Sequence, residues 1–120
     1  MQREQTEEKS LQVIIGAQLS AVTFVQDYVQ LHFDGPCLTA FSHPVVLLGD
    51  QTFHWGKAGF RDALCNSIAK QVTVAQVAYG EGICIEFADG STIKISLKDE
   101  DYLGAEAVRF DTGKDEWWSL

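Results

Sequence analysis

Between Ser10 and Gly56 the chain has no lysine or arginine, and its only formal charges there are Asp27, Asp34 and Asp50. From Gln76 to Leu120 ten acids face only Lys94, Lys98, Arg109 and Lys114, a local net of −6 within an overall −8. A phosphate-binding surface needs clustered cations, so nucleic-acid binding is disfavoured. An anionic membrane surface is disfavoured for the same reason. The imbalance favours a basic partner, or serves solubility alone. Other absences narrow the chemistry further. The glycines stand singly, with no GxGxxG or GxxxxGK stretch, so a glycine-rich nucleotide loop is not supported. Cys37, Cys65 and Cys84 have no CxxC spacing, and an odd set leaves at least one free thiol. Each lies in or beside an apolar pattern, so buried free thiols in a reducing cytoplasm are expected. The polar start, 1–10, lacks a signal-like apolar core, and no window approaches a membrane span.

What is present fits one domain. The chain has 120 residues, 46% of them apolar, enough to build a core. Residues 57–70 are the best helix candidate. Phe60, Leu64 and Ile68 recur every four residues with Ala63 beside them, while Arg61, Asp62, Asn66 and Lys70 fall mostly opposite. The β-branched run from Val72 to Val74 ends the pattern. Near the start, Gln2 to Lys9 reads as a short helix or a frayed tail, and as a helix over Glu4 to Ile15 if the two halves repeat.

The remainder reads as β-meanders. Val29, Leu31 and Phe33 alternate with Tyr28, Gln30 and His32; Ile83, Ile85 and Phe87 alternate with Cys84 and Glu86. Further strands are expected over 18–25, 37–42, 45–48, 52–55, 72–79, 92–97 and 105–110. Asp34-Gly35 and Asp89-Gly90 mark turns. The expected fold is α+β: antiparallel meanders, a central helix over 57–70 and a possible N-terminal helix.

The halves resemble each other. Leu11 to Ser20 aligns without a gap on Leu64 to Thr73, matching Leu11 with Leu64, Ile15 with Ile68 and Gln18 with Gln71. With one residue added, 29–33 falls on 83–87. The alternatives are a tandem αβββ pseudo-repeat, 4–42 and 57–97, or a chance likeness between two meanders. Each meander has one apolar face that cannot stand alone in water, and two can bury those faces together.

The stretches Tyr28-Val-Gln-Leu-His-Phe-Asp-Gly35, Phe60-Arg-Asp-Ala-Leu-Cys65, Phe87-Ala-Asp-Gly90 and Gly104-Ala-Glu-Ala107 together resemble a small bacterial family of unknown function. The likeness covers most of the chain after Leu11. It implies a bacterial α+β domain and brings no activity with it.

Several constellations bear on chemistry. Cys37, His43 and Asp50 contain the residue types of a nucleophile, base and orienter, but no family signature surrounds Cys37, and a buried or strand-facing Cys is the commoner case. His32, His43 and His54 with Cys37 lack the close ligand spacing of a zinc site, so no metal and no cofactor are expected. Glu106, set among Ala105, Ala107 and Val108, is the one carboxylate expected to be partly buried, with Arg109 or a backbone donor near it. Trp55 follows His54 just before the helix, and Trp117-Trp118 ends the sequence. Tryptophan is enriched at binding hot spots, although one of that pair packing on a sheet and the other covering an edge is the simpler arrangement. The candidate binding residues are therefore His43, His54, Trp55, Glu106, Trp117 and Trp118. They fit a small acidic cytoplasmic interaction protein, with a protein partner or a second copy of itself, in the manner of inhibitor or immunity proteins. The alternative is a small enzyme or ligand-binding domain with a cleft between its halves.

Overall fold

The structure is a computed structural model that describes residues 3–120, with side chains from Thr6 onward. Gln2, at the start of one expected helix, lies outside the described residues. Helix α1 (Arg3–Leu11) runs into a 3-10 turn, Gln12–Ile14. Five strands follow: β1 (Ala21–Val25), β2 (Tyr28–His32), β3 (Cys37–Ala40), β4 (Val45–Leu48) and β5 (Gln51–His54). Then come α2 (Phe60–Cys65), β6 (Val72–Ala78), β7 (Gly82–Phe87), β8 (Thr92–Ser96), a 3-10 turn at Asp99–Asp101, β9 (Val108–Asp111) and β10 (Trp117–Ser119). The fold is α+β, built on two antiparallel five-stranded sheets.

The strand order is β1-β2-β3-β9-β10 in one sheet and β5-β4-β8-β7-β6 in the other. Each sheet therefore joins the three-stranded meander of one half to the hairpin of the other half. The β9–β10 hairpin lies beside β3, with Phe110 opposite Leu38 and Val108 opposite Ala40. The β4–β5 hairpin lies beside β8, with Val46 opposite Ile93. Alternation decides which faces meet. Val29, Leu31, Leu38 and Phe110 of one sheet join Val46, Ile83, Ile85 and Ile93 of the other in a single buried cluster.

The halves also meet through backbone hydrogen bonds around the Gln18–Gln71 bridge. Leu19 N–H donates to the Lys70 carbonyl, and Val72 N–H to that of Ala17. Gly16 N–H donates to the Val72 carbonyl, and Ala69 N–H to that of Leu19. Within each pair, one bond becomes the other when every position is exchanged with the one 53 residues away.

The central helix is shorter than its sequence stripe. After Cys65 the chain tightens into i→i+3 turns, with Ile68 N–H on the Cys65 carbonyl and Lys70 N–H on that of Ser67. A 3-10 turn rotates each residue by about 120° instead of 100°. Ile68 therefore swings off the line of Phe60 and Leu64, and is exposed while they are buried. The N-terminal helix ends the same way, with Ile15 N–H on the Gln12 carbonyl. Both turns close in the left-handed region, at Gly16 (φ 90) and Ala69 (φ 75). Glycine takes that conformation freely, whereas alanine is strained there by about 1–2 kcal/mol. Ala69→Gly is therefore expected to stabilise the protein by about 0.5–1 kcal/mol after the glycine entropy cost. A thermal melt that falls, or stays level, would contradict this reading.

The helices pack beside edge strands. Helix α1 packs on β6, and α2 on β1, β4 and β5. The Glu8 carboxylate accepts the Val77 backbone N–H at 3.1 Å, satisfying a donor of the β6 edge. Tyr79 lies beside Glu7; burial, then the Glu7 charge, pushes its hydroxyl up to about 12. Lys70 pairs with Asp89, whose carboxyl is held down to about 2 by that lysine and by Ser91. Among the described residues, no helix is long and apolar enough to cross a membrane.

Candidate functional site

Two crossovers carry the chain between the sheets: 41–44, from β3 to β4, and 97–107, from β8 to β9. They meet side by side. The Phe41 and Ser42 N–H groups both donate to the Ala107 carbonyl, at 2.8 and 2.9 Å. The Ser96 hydroxyl donates to Asp101 Oδ2 at 2.6 Å and accepts the Lys98 N–H at 3.1 Å. These bonds tie down the base of an acidic loop, and Leu103 projects from it with 64% of its surface exposed. No other large apolar side chain among the described residues is as open.

Leu103 and His43 stand between two adjoining cavities. The larger, about 700 Å³, lies against Val45, Cys84 and Lys94 on the outer face of the second sheet. Glu81, Glu100, Asp101 and Lys98 also line it. The smaller, about 440 Å³, is lined by Tyr28, Phe41, His43 and Leu103 together with Asp27 and Glu106. Tyr28 and Phe41 pack at 5.2 Å between ring centroids. His43 stacks face to face on Trp55, 4.3 Å between centroids and 5° apart, and Trp55 leans on Phe60 at 5.5 Å. The groove thus has aromatic walls, one protruding aliphatic side chain, and the acids Asp27, Glu81, Glu100, Asp101 and Glu106 against Lys94 and Lys98.

The structure brings three of the sequence-named residues together here. His43 touches Trp55, and it shares the smaller cavity with Glu106. Glu106 is half-buried as expected; of the two neighbours expected for it, Arg109 or a backbone donor, the Arg109 guanidinium sits 4.0 Å from the centroid of the Trp117 ring. His54 stands elsewhere, exposed on edge strand β5 opposite Val45, and lines none of these cavities. The terminal tryptophans divide their work. Trp118 packs on Phe110 at 5.5 Å, and Trp117 is 56% exposed on edge strand β10. Tyr28, Phe41, Asp27 and Leu103 were not singled out from the sequence. The available signal was Leu103 itself, an isolated large aliphatic residue between an acidic run and Gly104.

The thiols depart from expectation, since none is buried. Cys65 is exposed, and Cys37 and Cys84 are partly covered on outer sheet faces. The alternation that buries Ile83 and Ile85 turns Cys84 outward. Cys37 pairs across strands with His32 and Asp111. Burial, with Asp111 adding to it against a Thr39 hydrogen bond, pushes its thiol up, and burial does the same for Cys84. A raised thiol is a poor nucleophile at neutral pH. His43 stands at the crossovers and Asp50 at the β4–β5 turn, so the three types considered for a triad sit on separate elements. At pH 7.5, a limiting maleimide is expected to label Cys65 at least tenfold faster than Cys37 or Cys84, as read by peptide mass spectrometry. Cys37 labelling first would restore it as a nucleophile candidate. Among the described residues, no three His, Cys, Asp or Glu side chains gather to hold a metal ion.

No family model, no curated protein and no solved structure matches the chain.

Proposed function

We propose that this chain is a small acidic interaction protein that seats a basic segment of a partner protein in the groove between its crossovers. The carrying observation is Leu103, held open on a hydrogen-bonded loop between two cavities with carboxylates around it. An exposed aliphatic side chain beside aromatic walls offers apolar surface for a partner to cover, and Tyr28 in those walls is of a type enriched at interface hot spots. The carboxylates supply complementarity to arginine or lysine, and the Tyr28 and Phe41 rings can take a cation on their faces. A net charge of −8 disfavours a second copy as the occupant and favours a partner of opposite sign. The comparison with immunity and inhibitor proteins is one of size and charge.

The test is affinity capture from the host's own extract with three baits: wild type, Leu103→Asp and Trp117→Ala. The same basic protein is expected in stoichiometric amount on wild type and Trp117→Ala, and lost from Leu103→Asp. Loss with Trp117→Ala but not with Leu103→Asp would move the interface to the β10 edge and refute the groove.

A second reading, a small-ligand site between the halves, is favoured by His43 and Glu106 lining one concave cavity of a size suited to small molecules. Native mass spectrometry of protein from its host is expected to show a bound mass if that reading holds. A bare monomer mass would count against it.

A further inference from the structure

The two helices treat their sheet edges differently. On the matching that pairs Leu11 with Leu64, Glu8 corresponds to Arg61 and Val77 to Phe24. The burial patterns agree along this stretch: Glu7 and Phe60 are both buried, as are Leu11 and Leu64, Ile14 and Ser67, and Leu19 and Val72. In one half the Glu8 carboxylate accepts the Val77 N–H at the β6 edge. In the other, a guanidinium replaces the carboxylate and cannot accept a hydrogen bond. Val25 and Tyr28 flank a two-residue turn, so they form the hydrogen-bonded pair, and Phe24 opposite Val29 the non-bonded one. The Phe24 N–H therefore faces away from β2, on the open edge of β1. Val77 is 7% exposed and Phe24 38%. A cavity of about 810 Å³ lies beside Phe24, lined also by Val25, Trp55, Lys57, Arg61 and Asp62.

We infer that this cavity binds a carboxylate of a partner polypeptide lying along the β1 edge, with the Phe24 N–H and Arg61 as its donors. The Glu8–Val77 contact in the opposite half is the internal precedent for a carboxylate on this edge donor. Lys57 and Arg61 outweigh Asp62 in charge, so the occupant is acidic. The exposed Phe24 and Val25 side chains favour a polypeptide over a free ion, since they offer apolar surface to the residues that flank its carboxylate. This site goes beyond the acid-lined groove and would take a segment of opposite charge.

The test uses two peptides, acetyl-Thr-Val-Glu-Val-Thr-amide and its Glu→Gln counterpart, titrated into the isotope-labelled full chain. The Glu peptide is expected to move the Phe24 amide resonance downfield and slow its hydrogen exchange at least tenfold at saturation. The Gln peptide is expected to bind at least tenfold more weakly. Arg61→Leu, which removes the cation and brings no acceptor, should weaken the Glu peptide at least tenfold without protecting the free protein. Arg61→Glu should abolish peptide binding while slowing Phe24 exchange in the absence of peptide, because it recreates the Glu8 contact. Equal binding of the two peptides, no binding of either, shifts that leave Phe24 untouched, or unchanged Phe24 exchange in free Arg61→Glu would each overturn the proposal. So would acetate alone reproducing the full effect, since the occupant would then be a free carboxylate.

Discussion

Phe110→Ala is expected to lower stability by about 3–5 kcal/mol, the usual cost of removing a buried aromatic ring. That is a large fraction of the roughly 5–15 kcal/mol that holds a domain of this size folded. Phe110 is fully buried, pairs with Leu38 across β3 and β9, and supports Trp118. Its strand comes from the second half of the chain yet lies inside the first half's sheet, between β3 and β10. The cavity would open at a join between halves, where the hairpin is held by one strand pairing and its apolar face. Urea unfolding should show a lower midpoint with a single transition. Val25→Ala, on a partly exposed side chain, should stay within about 0.5 kcal/mol of wild type. A loss below about 1 kcal/mol for Phe110→Ala would mean that the exchanged hairpin contributes little.

The second large effect concerns binding. Asp27→Lys combined with Glu106→Lys is expected to weaken the basic partner at least about 100-fold, or roughly 3 kcal/mol, because attraction becomes like-charge repulsion. Both residues line the smaller cavity, Asp27 exposed at its mouth and Glu106 half-buried. Among the described residues neither is committed to an internal ion pair, which Lys70–Asp89 provides elsewhere. The fold should therefore tolerate the change, and the wild-type complex should weaken with added salt. Isothermal titration at two salt concentrations measures both effects. An affinity that changes less than threefold in the double variant would remove these carboxylates from the interface.

Much of the architecture was legible because period-two alternation is a local signal. Val29, Leu31 and Phe33, and likewise Ile83, Ile85 and Phe87, are buried as their spacing predicts. The same alternation places Cys84 on the opposite face of that strand, against the expectation of a buried thiol. Strand partnership was not legible. Alternation says which side chains point inward, not which strand lies alongside, and the β3–β9 and β4–β8 pairings join distant segments. The helix stripe misplaced Ile68 because the switch from an α to a 3-10 turn leaves little trace in residue type. Around the groove, His43, Trp55 and Glu106 stand out in the sequence only one at a time. Their meeting depends on the two crossovers lying side by side, which only the fold reveals. Leu103 is not legible as an exposed residue, because a lone leucine in a charged loop carries no periodicity.

The most direct test of the groove is site-specific photocrosslinking in the host, with p-benzoylphenylalanine placed at Leu103 in one strain and at Trp117 in another. A discrete crosslink is expected from position 103 to one basic protein, abolished by Asp27→Lys with Glu106→Lys, and none from position 117. A crosslink from position 117 alone, or one from position 103 that survives the charge reversal, would contradict it.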